Sequence, residues 1–356
     1  MHRKLPELAL IGRVLIISPS RIMIPKALLL VLGWFAILSM VATLMHIDLI
    51  DKREYRGQRS LHGSIVTHSA PAPYQYRILQ PALVEVVLRA SRAKRHTTIY
   101  ELLFLGSYAA IRFFAILTTF VAVFFSLRVT WTVGIALFAT TALAAFIPFT
   151  YRYYYYQPTS IVEMAFFGLG LLAISTRTPS ALVPLVAIGT LNRETMCFIP
   201  FTYFLYWLPK LRRKEWVWLG VSAMAWIVVF VGLRVLWPAD SSLTSISKSL
   251  SKNLTLSRGN LDLIIILAPA ILVLFRAKQL PAPYLRLALC SFPWLLLHFF
   301  TATWYEIRYY MPVLIWLLPG LVFIFSREAT VTENAKSVVE QPLGGDAVLR
   351  ASQPYR

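Results

Sequence analysis

Five ionisable residues interrupt apolar sequence where a charge is expensive: Arg193 and Glu194 in one place, and Glu306 and Arg308 in another, with Arg77 in an aromatic, proline-framed segment. Arginine meets phosphate oxygens two at a time through its planar fork. Arg193 and Arg308 could therefore hold an anionic headgroup, with Glu194 and Glu306 orienting them. The plainer reading is a set of ion pairs tying helix ends together. The segment Pro73-Tyr74-Gln75-Tyr76-Arg77-Ile78-Leu79-Gln80-Pro81 reads either as an interfacial anchor or as a second place where an arginine, Arg77, contacts a lipid phosphate. Asp48 and Asp51 directly follow the first apolar run, and a carboxylate at a membrane boundary could act as general base on an acceptor hydroxyl. Asp48 ranks first by position, Asp51 second and Glu54 third. The run Tyr153 to Tyr156 with Gln157 offers either an interfacial belt or stacking faces for a sugar. Glu163 and Arg112 lie inside apolar segments and need buried partners.

The elements that must position these groups are membrane helices. Of 356 residues, 58% are apolar and 14% charged, against about 45–50% and about 25% in an ordinary soluble domain. A soluble enzyme and a disordered chain are both excluded. The formal charge of +19 fits basic loops and anionic lipid headgroups rather than nucleic acid, since no nucleic-acid motif is present. Uncharged or nearly uncharged runs predict an all-α, polytopic transmembrane helix bundle of about ten spans. They lie near 27–47, 102–127, 129–149, 160–176, 179–191, 195–208, 216–236, 262–275, 284–303 and 309–325. The fifth and sixth are short, and a half-inserted hairpin around Asn192 is an alternative to them.

The basic loops place both termini in the cytoplasm, with Lys210 to Lys214 as the strongest anchor. Residues 1–25 read as a cytoplasmic or interfacial segment, without a cleaved signal peptide, and 327–356 as a disordered cytoplasmic tail. Residues 48–101 then form a long first outer loop whose 78–96 stretch is an amphipathic surface helix. An extra span at 78–90 would invert everything after it. On the preferred arrangement the polar segments around Asp48, Arg77, Gln157, Asn192 and Glu306 share the outer face. Cys197 and Cys290 sit in apolar runs, so no disulfide framework is expected. No P-loop, GxSxG, HExxH or dinucleotide-binding glycine pattern occurs, and no tight ligand spacing supports a metal.

This order of features, a first span followed by an acidic outer loop, an amphipathic segment and many spans with outer polar clusters, resembles the GT-C superfamily of polytopic glycosyltransferases. The pieces Tyr74 to Pro81, Asn192-Arg193-Glu194-Thr195 and Glu306-Ile307-Arg308-Tyr309-Tyr310-Met311-Pro312 also resemble a poorly characterised group of bacterial membrane proteins. The resemblance covers roughly residues 26–326. It implies an enzyme of the bacterial inner membrane that takes sugar from a polyprenyl-phosphate donor on the extracytoplasmic face and passes it to a glycan, lipid or protein acceptor, without a cofactor. It implies Asp48 or Asp51 as base, and Arg77, Arg193 or Arg308 at the donor phosphate. Tyr76, Gln157, Asn192, Glu194 and Glu306 would then bind or orient substrate. The sequence departs from the family's acidic pair, because two residues separate Asp48 from Asp51. A lipid-linked saccharide transporter or flippase, and a non-catalytic subunit of an envelope-polysaccharide complex, are the competing readings.

Overall fold

The computed structural model describes residues 26–94, 97–151, 159–238, 246–255, 258–302 and 306–339. Among them the chain is helical, with no β-strand. Six helical stretches are long and apolar enough to cross a membrane: Lys26–Val66, Thr98–Arg128, Val133–Tyr151, Arg213–Leu236, Ala282–Thr301 and Ile307–Ser326. Thr159–Ser175 and Pro179–Thr190 are apolar but shorter. Many large apolar side chains on these helices face outward, Leu30 at 75%, Phe138 at 77% and Phe275 at 84% exposure among them. In water such a surface would aggregate; against lipid it is the expected exterior. The chain is a multi-pass integral membrane protein.

Helix α1 (Lys26–His46) buries a narrow stripe, Val31, Phe35, Ser39, Ala42, Thr43 and His46, and shows its other faces outward. The segment expected as the first outer loop opens as helix. The helix does not stop at Asp48 but passes through one π-helical turn (Ile47–Asp51) into α2 (Lys52–Val66). Neither proline nor a turn sequence interrupts this stretch, and its Lys, Arg, Glu and Gln are good helix formers. The extra residue of the π turn brings both Ile50 and Asp51 to the buried face. A 3-10 turn (Tyr74–Tyr76) leads to α3 (Leu79–Ser91), where the amphipathic segment was expected. Its thirteen residues span roughly 20 Å, too little for the ~30 Å hydrocarbon core, so the extra-span alternative finds no support in its length.

Helices α4 (Thr98–Arg128), α5 (Val133–Phe146) and α6 (Thr159–Ser175) follow. The 31 residues of α4 run about 46 Å, so part of it must extend beyond the hydrocarbon core. α4 and α6 meet closely because Gly168 has no side chain; a Cβ there would lie 3.4 Å from the Thr119 carbonyl oxygen. Helices α7 (Leu182–Thr190) and α8 (Phe198–Trp207) form a hairpin alongside α6. Its tip touches the start of α6, where the Asn192 amide donates to the Thr159 carbonyl at 3.1 Å. Its base lies at the end of α6, where Trp207 Nε1 donates to the Ile174 carbonyl at 3.1 Å. Gly170 admits the returning arm, since a Cβ would meet Ile199 at 2.7 Å.

Helix α9 (Arg213–Leu236) carries Glu215 in its first turn, where it takes Arg177 at 2.6 Å and accepts from the Arg212 amide at 2.7 Å. Helices α10 (Ile246–Leu254), α11 (Arg258–Phe275), α12 (Ala282–Leu289), α13 (Ser291–Thr301) and α14 (Met311–Val339) complete the bundle. α14 carries the helix past residue 327, so the tail expected to be disordered begins as helix; residues 340–356 and 1–25 lie outside the described residues. Phe167, Trp294 and Trp316 pack edge to face in the core between α6, α13 and α14. Arg177 and Lys210 meet at one end of the bundle, while Arg77, Arg193 and Arg308 occupy the region around the other end.

This arrangement predicts opposite exposure of two sites. In a background lacking Cys197 and Cys290, Ser69→Cys and Lys214→Cys should react with a membrane-impermeant maleimide from opposite sides of intact vesicles. Labelling of both from one side would contradict the helix order.

Candidate functional site

The hairpin tip carries the sequence's most expensive residues to the first turn of α6. Arg193 pairs with Glu163, which is fully buried, and also donates to Ser160 at 3.4 Å. Thr195 donates its hydroxyl to the other oxygen of Glu163. The adjacent Glu194 points elsewhere and takes Arg77 at 3.3 Å, while its carbonyl accepts from Trp226 of α9 at 2.8 Å. Arg193 is extended, just ahead of the 3-10 turn that Glu194 opens, so the two neighbours point to different partners. Arg308, ahead of α14, takes Glu306 through Nε at 3.0 Å and reaches the Tyr309 hydroxyl at 2.9 Å. The Tyr309 ring lies under both Arg193, at 4.6 Å, and Arg308, at 4.7 Å. Three arginines and three glutamates from distant segments thus share one site.

Asn192 accepts from the Gln80 amide, and the Leu79 amide donates to the Leu191 carbonyl at 3.0 Å, so α3 is fastened to the hairpin tip. Tyr76 stacks on Arg234 of α9 at 4.3 Å. Glu194 remains partly open, with 29% of its side chain exposed, against 0% for Glu163 and 10% for Glu306. Nε of Arg77 and of Arg193 finds no acceptor among the described residues.

The two aspartates are placed differently. Asp48 is exposed and paired with Lys52 one turn on, at 2.7 Å, outside the arginine cluster. Asp51 is buried and clamped by Arg112 at 2.8 and 3.3 Å, with His46 at 3.3 Å. Its groups therefore face α4 rather than the arginines. Neither aspartate joins the arginine cluster: one carboxylate is solvated and locally paired, and the other is committed to a buried ion pair. Gln157 and Tyr153 to Tyr156 lie outside the described residues. Glu163, Tyr309, Gln80 and Arg234 join the site without having been assigned to it. The signal for Glu163 was its position as a lone acid in an apolar helix.

An apolar groove of about 780 Å³ opens beside the site, lined by α3, α4 and α6. Along α4 it reaches from Leu102 to Thr118, roughly 24 Å at 1.5 Å per residue. Leu83 of α3 and Val162 of α6 line it, each within a turn of residues that build the cluster, Gln80 and Glu163. Among the described residues no three His, Cys, Asp or Glu side chains converge as metal ligands.

Breaking a buried pair strands a charge, at a cost of about 3–5 kcal/mol. Glu163→Met should therefore lower the thermal unfolding temperature of the detergent-purified protein sharply, and adding Arg193→Leu should recover most of the loss. Independent, additive effects of the two changes would show that the pair is not coupled. No family model, no curated protein and no solved structure matches this chain, so its chemistry rests on the geometry of this cluster.

Proposed function

We propose that the chain is a membrane glycosyltransferase of GT-C type, moving a sugar from a polyprenyl-phosphate donor to an acceptor at the membrane face that bears the arginine cluster. The observation that carries this reading is the convergence of Arg77, Arg193 and Arg308 beside a groove long enough for several isoprene units. In this proposal the phosphate lies among the arginines and the isoprenoid chain runs along α4. The acceptor oxygen bonds to the anomeric carbon as the bond from that carbon to the phosphate oxygen breaks. Negative charge grows on the departing lipid phosphate, where fixed arginines stabilise it without reorganisation. The acceptor proton passes to Glu194, the carboxylate of the cluster that is partly open; general base catalysis is worth typically 10²–10⁴-fold. Tyr76 and Asn192 hold the walls of the site, and Glu306 aligns Arg308. No cofactor enters the scheme. The protein would sit in the bacterial inner membrane with both termini and Lys210 to Lys214 cytoplasmic, and the cluster extracytoplasmic.

One feature favours a second reading. The α7–α8 hairpin, with a charged tip inside the bundle, resembles the discontinuous helices of secondary transporters. A lipid-linked saccharide flippase would use the same arginines to carry a headgroup rather than to cleave it.

Purified protein in nanodiscs, supplied with radiolabelled polyprenyl-phosphate sugars and envelope acceptor fractions, tests the choice. Wild type should transfer label, Glu194→Gln should lose at least 100-fold, and Asp48→Asn should retain transfer. Full activity in Glu194→Gln with loss in a stably folded Asp51→Asn would return the base role to Asp51. Translocation of intact donor across proteoliposomes without transfer would favour the flippase.

A further inference from the structure

The three arginines of the cluster are already engaged by carboxylates: Arg77 by Glu194, Arg193 by Glu163 and Arg308 by Glu306. A fourth, Arg234 in the last turn of α9, is held differently. Its guanidinium lies against the Tyr76 ring at 4.3 Å and the Phe230 ring at 3.5 Å. Its one hydrogen bond is from Nη1 to the Phe230 carbonyl at 3.1 Å. Among the described residues no carboxylate pairs with it; Glu194 acts on it electrostatically but is not in ion-pair contact. Aromatic stacking uses the faces of the guanidinium, whereas its five N–H donors point outward in its plane. Stacking therefore holds the group in place while leaving most of its donor edge unspent. The side chain is partly exposed, and Tyr76 ties it to the turn that also presents Arg77. Among the described residues, four arginines face three glutamates here, one positive charge beyond the acids.

We propose that Arg234 is the anion-contacting residue of this site, reading a phosphate group at its edge, while Arg77, Arg193 and Arg308 build and polarise the cluster behind it. The assignment deepens the glycosyltransferase reading and rests on that reading's placement of the ligand. It requires only phosphate chemistry, from a lipid headgroup or from a free phosphate.

Binding to the full-length protein in detergent, followed by quenching of its tryptophan fluorescence, tests it with three probes: farnesyl phosphate, farnesol and inorganic phosphate. Wild type should bind farnesyl phosphate at least tenfold more tightly than farnesol. Arg234→Gln should weaken farnesyl phosphate at least tenfold and leave farnesol unchanged. Arg234→Lys, which keeps the charge and the stem but not the fork, should weaken it about three- to tenfold. Arg128→Gln, at the opposite end of α4, should bind as wild type. Inorganic phosphate binding as tightly as farnesyl phosphate would support a free anion as the ligand, still at Arg234. Wild-type affinity in both Arg234 variants would overturn the assignment while leaving glycosyl transfer to stand on its own assay. The expected losses in a wild type that transfers no sugar would leave the anion site and remove the enzyme.

Discussion

An arginine cannot lie unpaired in a low-dielectric interior, and the pairing of Arg193 with Glu163 organises much of this bundle. The two residues are 30 positions apart, on the hairpin tip and on α6. Holding them together fixes how far the hairpin reaches along α6. That in turn sets where Asn192 meets the start of α6 and where Leu191 receives α3. Hydrophobic burial supplies little of this precision, because lipid tails are as apolar as the helix faces they touch. Close packing at Gly168 and Gly170 brings the helices near; the charges select the register.

The same logic recurs at each level of the bundle. Arg112 reaches Asp51 across 61 residues and joins α4 to the π turn at the end of α1. Arg177 reaches Glu215 across 38 residues and closes the opposite end. Arg77 and Glu194 span 117 residues and close the roof of the candidate site. None of these pairs need add net stability over a well-packed apolar substitute. Their value is specificity, since each charge tolerates few alternative partners.

The proposed function draws on the places where this requirement is met incompletely. Among the described residues, Nε atoms of Arg77 and Arg193 lack acceptors, Glu194 keeps part of its surface open, and Arg234 leans on rings rather than on a carboxylate. These groups lie around one region, and the groove along α4 begins within a turn of it. A cluster of arginines and glutamates thus lies beside a long apolar groove.

Composition and hydropathy alone determined the class of molecule, because lipid demands apolar helices whose backbone groups are satisfied internally. They also exposed Arg77, Arg193, Glu194, Glu306 and Arg308, since charges stand out against apolar sequence. A hairpin around Asn192 was legible in the shortness of its two arms. The pairing was not. Sequence adjacency pointed Glu194 at Arg193, whereas the fold gave Arg193 to Glu163 and Glu194 to Arg77. Position ranked Asp48 above Asp51 but did not show their surroundings: a single π turn buries Asp51 and leaves Asp48 against Lys52. Partner choice among buried charges depends on which helix faces meet, a long-range property that local patterning does not encode, and only the tertiary structure decided it.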